Sequence, residues 1–416
     1  MTDTAIPDNT VRALFREHDY MRFWTFRFSS VMATMMQSVA MGWQIYDIAR
    51  RTHTVEQSAL YVGLIGLCAF VPLFLLALPA GETADRHTRK KVLMLCMGGE
   101  IFSVSVLLAA AFMGATTIPL LLGISFVFGT SRAFLGPAST ATGPMLVPRE
   151  LLPRAIAWNS LAWQSAAVAG PALGGILLAF SPTVAYAASL ALYALGGLAI
   201  FLVRKNTRPV TQPGSRVALV KEGLRYVWHN KIVFGAISLD LVAVLLGGVT
   251  ALLPVFSKDI LHVGAEGFGA LRAAPAIGAS VVAIYLAANP IKKYAGPIIF
   301  ISVAIFGAST IVFGLSRLFW LSMIALIVQG AADMASVFVR QTLVQLVTPD
   351  HMRGRVAAVA SLFISASNEL GEFEGGVMAR LLGPIGAALF GGFGSMFVTG
   401  VWAKLFPPLR KADRLE

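Results

Sequence analysis

Long apolar segments dominate this chain of 416 residues. A run of about 20 predominantly apolar residues can cross a lipid bilayer as an α-helix, because a helix satisfies its backbone hydrogen bonds internally. Twelve such segments lie at 23–48, 59–80, 92–114, 117–146, 155–180, 183–203, 232–256, 268–288, 297–315, 319–347, 356–382 and 385–405. The sequence therefore predicts an all-α membrane protein with 12 transmembrane helices, and its 56% hydrophobic content agrees with that class.

A duplication relates the two halves of the chain. Leu161–Gly175 and Leu362–Gly376 align at a constant offset of about half the chain and share a Gly-x-x-x-Gly-Gly ending. Such internal repeats are typical of transporters built from two related bundles. We therefore expect two pseudo-symmetric six-helix bundles at 1–203 and 232–416. A cytoplasmic linker at 204–231, with an amphipathic helix on the membrane surface, would join them.

The distribution of positive charge predicts the orientation. The formal net charge is +12, and most of the 33 Lys and Arg residues fall in loops on one side of the predicted membrane. Cytoplasmic loops are enriched in these residues, so we expect both termini in the cytoplasm and call the opposite face the outer face. Because this arrangement explains the basic charge, no nucleic-acid partner is expected.

The loop after the second predicted helix carries a charge motif. Gly81 is followed four residues later by Asp85 and Arg86, and then by the basic residue Arg89. This pattern resembles the loop between helices two and three of the major facilitator superfamily, although Thr88 stands where a glycine is usual. The resemblance implies the two-bundle fold of that superfamily and transport by alternating access. It also implies a cytoplasmic latch formed by Gly81, Asp85, Arg86 and Arg89.

A glycine-rich motif lies in the fifth predicted helix. Its residues Gly170, Pro171, Gly174 and Gly175 are similar to a motif of the superfamily's exporters, especially its proton antiporters. Glycines also allow close helix packing and a proline kinks a helix, so ordinary packing is the alternative explanation.

Three further stretches narrow the resemblance. Residues 146–149, 222–226 and 368–374 resemble the enterobactin-exporter-like branch and the drug:proton antiporters. This resemblance implies a monomer in the bacterial cytoplasmic membrane. It would export siderophores or drug-like amphipathic small molecules in exchange for protons.

Ionisable residues at membrane depth are costly and mark functional positions. Helices four, seven and ten contain Arg132, Asp240, Asp333 and Arg340. In the superfamily these helices line the central cavity, so the resemblance implies that Asp333 is a proton-coupling candidate and the other three are charge partners or a gate. A purely structural pair of Asp333 with Arg340 or with Arg132 is the alternative.

Helix eleven contains three acidic residues, Glu369, Glu372 and Glu374, and the first two share a helical face. Carboxylates this close cannot all remain ionised in a low-dielectric environment, so we expect at least one of them to exchange protons near neutral pH. Bracing of the helix end against Arg380 or Arg272 is one alternative. Direct recognition of a cationic substrate is another.

Helix one offers candidates for substrate contact, namely Met36, Gln37, Trp43 and Gln44. Flexible Met and aromatic side chains suit a site that accepts varied amphipathic ligands. Ordinary helix packing explains the same residues equally simply.

Other functional classes find little support in the sequence. The histidines lack metal-ligand spacing, and no nucleotide-binding or hydrolase motif is present, so we expect no enzyme, metal or cofactor. A lipid or lysolipid flippase, a solute importer and a binding-only receptor on the same fold remain open alternatives. The expected partners are a small-molecule substrate, protons and the lipid bilayer.

Overall fold

The computed structural model describes residues 11–208, 216–289, 291 and 293–413. Eleven long helices build the described part of the chain. They are α1 (His18–Ala49), α2 (Val55–Leu75), α3 (Arg89–Phe112), α4 (Ile118–Thr142), α5 (Leu152–Phe180), α6 (Pro182–Phe201), α7 (Lys231–Gly247), α8 (Gly264–Ala288), α9 (Ala295–Leu315), α10 (Phe319–Val347) and α11 (Asp350–Leu405). The shorter helices are Val11–Arg16, Ala77–Arg86, Gly143–Met145, Arg149–Leu151, Arg216–His229, Thr250–Leu252, Leu253–Val255, Phe256–Ile260 and Pro407–Arg410.

The predicted membrane segments lie largely in helical structure, and the seventh is interrupted. Ten of the described helical segments are long and apolar enough to cross a membrane. One of them, α11, has 56 residues and contains a non-helical Gly383 with φ 75° and ψ 164°, followed by Pro384, so it consists of two helices joined at a kink. Helix α1 is 32 residues long but is not among the ten, because its polar residues lower its hydropathy. The number of twelve crossings stays a prediction.

The seventh predicted segment, 232–256, differs from the continuous helix that we expected. Helix α7 ends at Gly247, and Gly248 has the non-helical angles φ −70° and ψ 102°. Short helical turns then continue the segment from Thr250 to Ile260. Two consecutive glycines weaken a helix, which explains why the break falls there.

Two closely packed helix pairs join the two halves of the chain. Helix α2 packs against α11, and α5 packs against α8. Both contacts are glycine-mediated: Gly63 meets Gly376 in the first pair, and Gly175 meets Gly269 in the second. Small residues let helix backbones approach closely in a membrane. These two interfaces therefore bring the halves together along their length.

The linker contacts the second half of the chain. Helix Arg216–His229 packs on the beginning of α11, where Glu222 pairs with Arg355. The Tyr226 hydroxyl donates a hydrogen bond of 3.1 Å to the carbonyl of Val347 at the end of α10. Residues 209–215 of the predicted linker, together with 1–10 and 414–416, lie outside the described residues. The division into 1–203, 204–231 and 232–416 stays a prediction.

We expect Gly63→Ala to lower the thermal stability of the protein. The added Cβ atom would lie 2.9 Å from Gly376 Cα and 3.0 Å from the carbonyl oxygen of Glu372, so backbone atoms must move. Overpacking of this kind costs about 1–3 kcal/mol. Gly98→Ala is the control, because its Cβ meets nothing within 4 Å and a helical alanine is favoured over glycine. Equal melting temperatures of the two variants in one detergent would contradict the close contact.

Candidate functional site

A cavity of about 380 Å³ lies between the two halves of the chain. The first half contributes Met35, Ala167 and Pro171 to its wall, all without charge. Its polar and charged lining comes from the second half, as Asp240, Thr250, Arg272, Gln329, Asp333, Arg340, Ser367, Asn368 and Glu372. The charged groups of the cavity therefore all lie on one side, among apolar residues of the same half.

The broken backbone after α7 faces this cavity. Gly247, Gly248, Val249 and Thr250 all line it. Irregular backbone at membrane depth is tolerated where it is buried in protein or lines a cavity, because its freed polar groups then find partners. The glycine pair in the sequence is the signal for this feature.

One charge cluster in the cavity wall joins α7 and α10. Arg340 forms an ion pair with Asp240, and both side chains are buried, at 5% and 8% exposure. Asp333 lines the same cavity and is close enough for the charges of Arg340 and Asp240 to act on it. Within the described residues, however, its carboxylate forms no ion pair or hydrogen bond. The structure thus pairs Arg340 with Asp240 rather than with Asp333, unlike the structural pairs considered from the sequence.

The acids of α11 have arginine partners on two different helices. Glu369 Oε1 lies 2.6 Å from Nη1 of Arg132 on α4, so this pair joins the two halves. Glu372 Oε1 lies 3.4 Å from Nη2 of Arg272 on α8, which also donates a 3.0 Å hydrogen bond to Ser38. Of the two arginines considered as a brace, the structure brings Arg272 to these acids.

Glu374 occupies a separate position. Its Oε1 atom is buried without a hydrogen-bond partner. The residue is only half-buried overall and does not line the cavity described above. The structure therefore separates Glu374 from the two paired acids of α11.

Sequence reasoning missed Glu100 on α3. This residue is 1% exposed, and its Oε2 atom has no hydrogen-bond partner. The charge of Arg132 acts on it, and the Tyr193 hydroxyl lies beside it. The sequence did contain a signal, an acid inside the apolar segment 92–114, but its position nearer one end of that segment made it look peripheral.

The membrane-embedded charges are unequal in number. The group formed by Glu100, Arg132, Glu369, Glu372 and Arg272 contains three acids and two arginines. The group formed by Asp240, Asp333 and Arg340 contains two acids and one arginine. Each group thus has one carboxyl more than it has arginines. A buried, uncompensated carboxylate is costly, and a proton is the simplest neutralising ligand.

A third set of charges joins the two halves at the face predicted to be outer. Lys258 pairs with Asp47, and Tyr46 donates a hydrogen bond to Asp259. Arg50 lies 3.4 Å from Asp259. These contacts join the end of α1 to the π-helical turn after α7, and sequence reasoning missed them because the two elements are distant in the chain.

The predicted substrate residues of α1 are mostly packed inside the protein. Met36 and Gln37 are 2% and 0% exposed, and Gln44 accepts a 2.7 Å hydrogen bond from Tyr186. Trp43 stacks on Phe268 with ring centroids 5.7 Å apart. None of the four lines the described cavity; the neighbouring Met35 does. Their contact with substrate stays a prediction, and in this conformation the residues serve packing.

The motif in α5 packs on α1 of the same half and on α8 of the other half. Gly170 faces Met35, Gly174 faces Met36, and Gly175 meets α8. Pro171 lines the cavity. The motif residues therefore lie where helices contact each other, which agrees with the packing explanation. The link between this motif and the direction of export stays a prediction.

The predicted latch lies around the helix Ala77–Arg86. Arg86 pairs with Glu82 at 2.7 Å within that helix. Arg89 donates a 2.8 Å hydrogen bond to the carbonyl of Ala141 at the end of α4. The helix dipole also favours a positive charge at that end of the helix. Gly81 is buried and Asp85 half-buried. The described bonds of both arginines lie in the first half, so latching of the two halves stays a prediction.

Comparison with known proteins identifies the family. The sequence profile of the transmembrane secretion effectors, a branch of the major facilitator superfamily, matches residues 10–416. The chain belongs to this family. The enterobactin exporter EntS of Citrobacter koseri is 28% identical over 394 residues, covering 92% of this chain and 91% of that relative.

Solved structures agree with this fold. A bacterial homologue of the iron transporter ferroportin, in an inward-facing state, has a TM-score of 0.71 at 14% identity and covers 96% of this chain and 99% of its own. A POT family transporter in complex with 5-aminolevulinic acid has a TM-score of 0.72 at 11% identity, with 94% and 96% coverage. Identities this low show the fold alone. The predicted all-α major facilitator fold is confirmed, and the chain is a multi-pass secondary transporter rather than an enzyme.

We expect Asp240→Asn and Asp333→Asn to destabilise the protein non-additively. Arg340 keeps an acidic neighbour in either single variant, but the double variant leaves it buried and uncompensated. Removing the partner of a buried ion costs about 3–5 kcal/mol. Melting temperatures of the wild type, both single variants and the double variant, measured in one detergent, form the test. A double variant that loses only the sum of the two single effects would show that Asp333 does not share Arg340.

Proposed function

We propose that this transporter exports small amphipathic molecules, siderophores or drug-like compounds, from the cytoplasm in exchange for protons. It would act as a monomer in the bacterial cytoplasmic membrane, with both termini in the cytoplasm, by alternating access of the central cavity. The excess of one carboxyl in each membrane-embedded charge group carries this proposal. A transporter with such groups can hold a proton at membrane depth without any cofactor.

The pair between Arg132 and Glu369 connects proton binding to movement. It links α4 of the first half to α11 of the second across a distance of 2.6 Å. A proton on Glu369 would remove the charge that attracts Arg132, and Arg132 would then be drawn to Glu100 inside its own half. Protonation thereby weakens one attraction between the halves, as a rocking transporter requires.

Protonation of Glu372 would act on the cavity itself. Glu372 and its partner Arg272 both line the cavity. A proton on Glu372 would change the net charge around a bound substrate by one unit. We therefore keep Glu369 and Glu372 as the principal proton sites, with Asp333 and Glu374 as secondary candidates.

Three observations support the direction and the substrate class. The contacts of Lys258 with Asp47 and of Tyr46 with Asp259 hold the predicted outer face closed, as expected of a state that loads substrate from the cytoplasm. The relative from Citrobacter koseri named above is an enterobactin exporter. The motif Gly170–Gly175 is similar to that of exporters.

We expect Glu369→Gln and Glu372→Gln to remove proton coupling. The measurement uses everted membrane vesicles that are acidified by respiration and contain a pH-sensitive dye. Enterobactin, tetraphenylphosphonium and chloramphenicol are added separately, as a catecholate, a cation and a neutral compound. Wild-type protein should release protons with at least one of the three, and the two variants should release at least tenfold less, because a glutamine cannot carry the proton.

The control is Glu266→Gln, which removes an exposed acid in the first turn of α8. It should release protons like the wild type. If both α11 variants keep the wild-type response, or if the wild type releases no protons with any compound, proton coupling at these acids is wrong.

A further inference from the structure

We infer that the cavity selects amphipathic cations and that the carboxylate of Asp333 recognises their positive charge. This inference rests on the proposed function only in treating the cavity between the halves as the substrate site. It names the charge of the preferred substrate for that site, which the proposed function leaves open.

The charges in the cavity wall carry the inference. Five ionisable side chains line the cavity, namely Asp240, Arg272, Asp333, Arg340 and Glu372. Both arginines already have acidic partners, Arg340 with Asp240 and Arg272 with Glu372. Asp333 remains without an ion pair or hydrogen bond among the described residues. Once Asp333 has released its proton, the wall therefore presents one negative charge in excess, at a known position, and a cationic ligand can take the place of that proton.

The burial of the pair between Arg340 and Asp240 strengthens this asymmetry. Asp240 and Arg340 are buried, so their charges largely cancel each other within the wall. A ligand anion would have to break such a pair to find a positive partner. A ligand cation would find Asp333 available without breaking any pair, and charges in a low-dielectric cavity interact much more strongly than in water.

The rest of the wall suits an apolar ligand body. Met35, Pro171, Phe306, Val337 and Ile364 line the cavity together with the acids. Pockets with mainly apolar walls and a few placed polar groups bind amphipathic small molecules. The fitting ligand is thus an apolar body with a single positive charge, such as an aryl-substituted quaternary ion.

Two ions of nearly equal size and shape test the inference directly. Tetraphenylphosphonium is a cation, and tetraphenylborate is its anionic counterpart. Binding of each to purified protein in detergent is measured by equilibrium dialysis, with protein-free micelles subtracted. We expect the wild type to bind the phosphonium at least tenfold more tightly than the borate, which corresponds to about 1.4 kcal/mol.

Substitutions then locate the preference. Asp333→Asn should abolish it, and Asp333→Glu should retain it because the charge remains. Asp240→Asn should also abolish it, since Arg340 would then be free to neutralise Asp333. Glu266→Gln, which removes an exposed acid outside the cavity, should bind like the wild type.

Several results would overturn the inference. They are equal binding of the two ions, tighter binding of the borate, no binding of either ion, or an unchanged preference in a folded Asp333→Asn protein. If Asp333→Asn does not fold, Asp240→Asn decides the question by the same criterion. The assay contains no pH gradient, so a failure of proton coupling in the Glu369 and Glu372 variants would leave its outcome unaffected.

Discussion

Charge burial in a low-dielectric environment is the constraint on which this structure depends. An arginine or a carboxylate at membrane depth must find a partner of opposite sign, because the unpaired ion is costly there. The chain meets this requirement with pairs that join different helices, Arg132 with Glu369 and Arg272 with Glu372. It meets the requirement incompletely, since Glu100 and Asp333 have no arginine of their own. The incomplete pairing is what makes proton and cation binding favourable.

The duplication explains why the charges lie on one side of the cavity. Equivalent positions of the two copies face each other across it, Ala167 with Asn368 and Pro171 with Glu372. In each case the first copy keeps a residue without charge, whereas the second has a polar or acidic one. The same backbone framework thus supplies an apolar wall and a charged wall. A symmetric pair of bundles becomes chemically asymmetric through a few substitutions.

The sequence was sufficient for the fold and for part of the site. Apolar segment length predicts the helices, and the cost of burying acids identified Glu369, Glu372 and Asp333. It could not predict which arginine pairs with which acid, because those pairings join helices that are distant in the chain. Glu100 was missed for a related reason, since only the packing of α3 on α4 brings it near Arg132. The break after α7 had a local signal in two glycines that the hydrophobic pattern concealed.

Infrared difference spectroscopy of the purified transporter tests the central claim most directly, because a protonated carboxyl group has a carbonyl band that a carboxylate lacks. We expect at least one carboxyl in the membrane-embedded groups to remain protonated near neutral pH and to lose its proton as the pH rises further. That band should be lost or displaced in Glu369→Gln or Glu372→Gln protein and retained in Glu266→Gln. A spectrum without any protonated carboxyl from mildly acidic to mildly basic pH would contradict the claim that these groups hold a transportable proton.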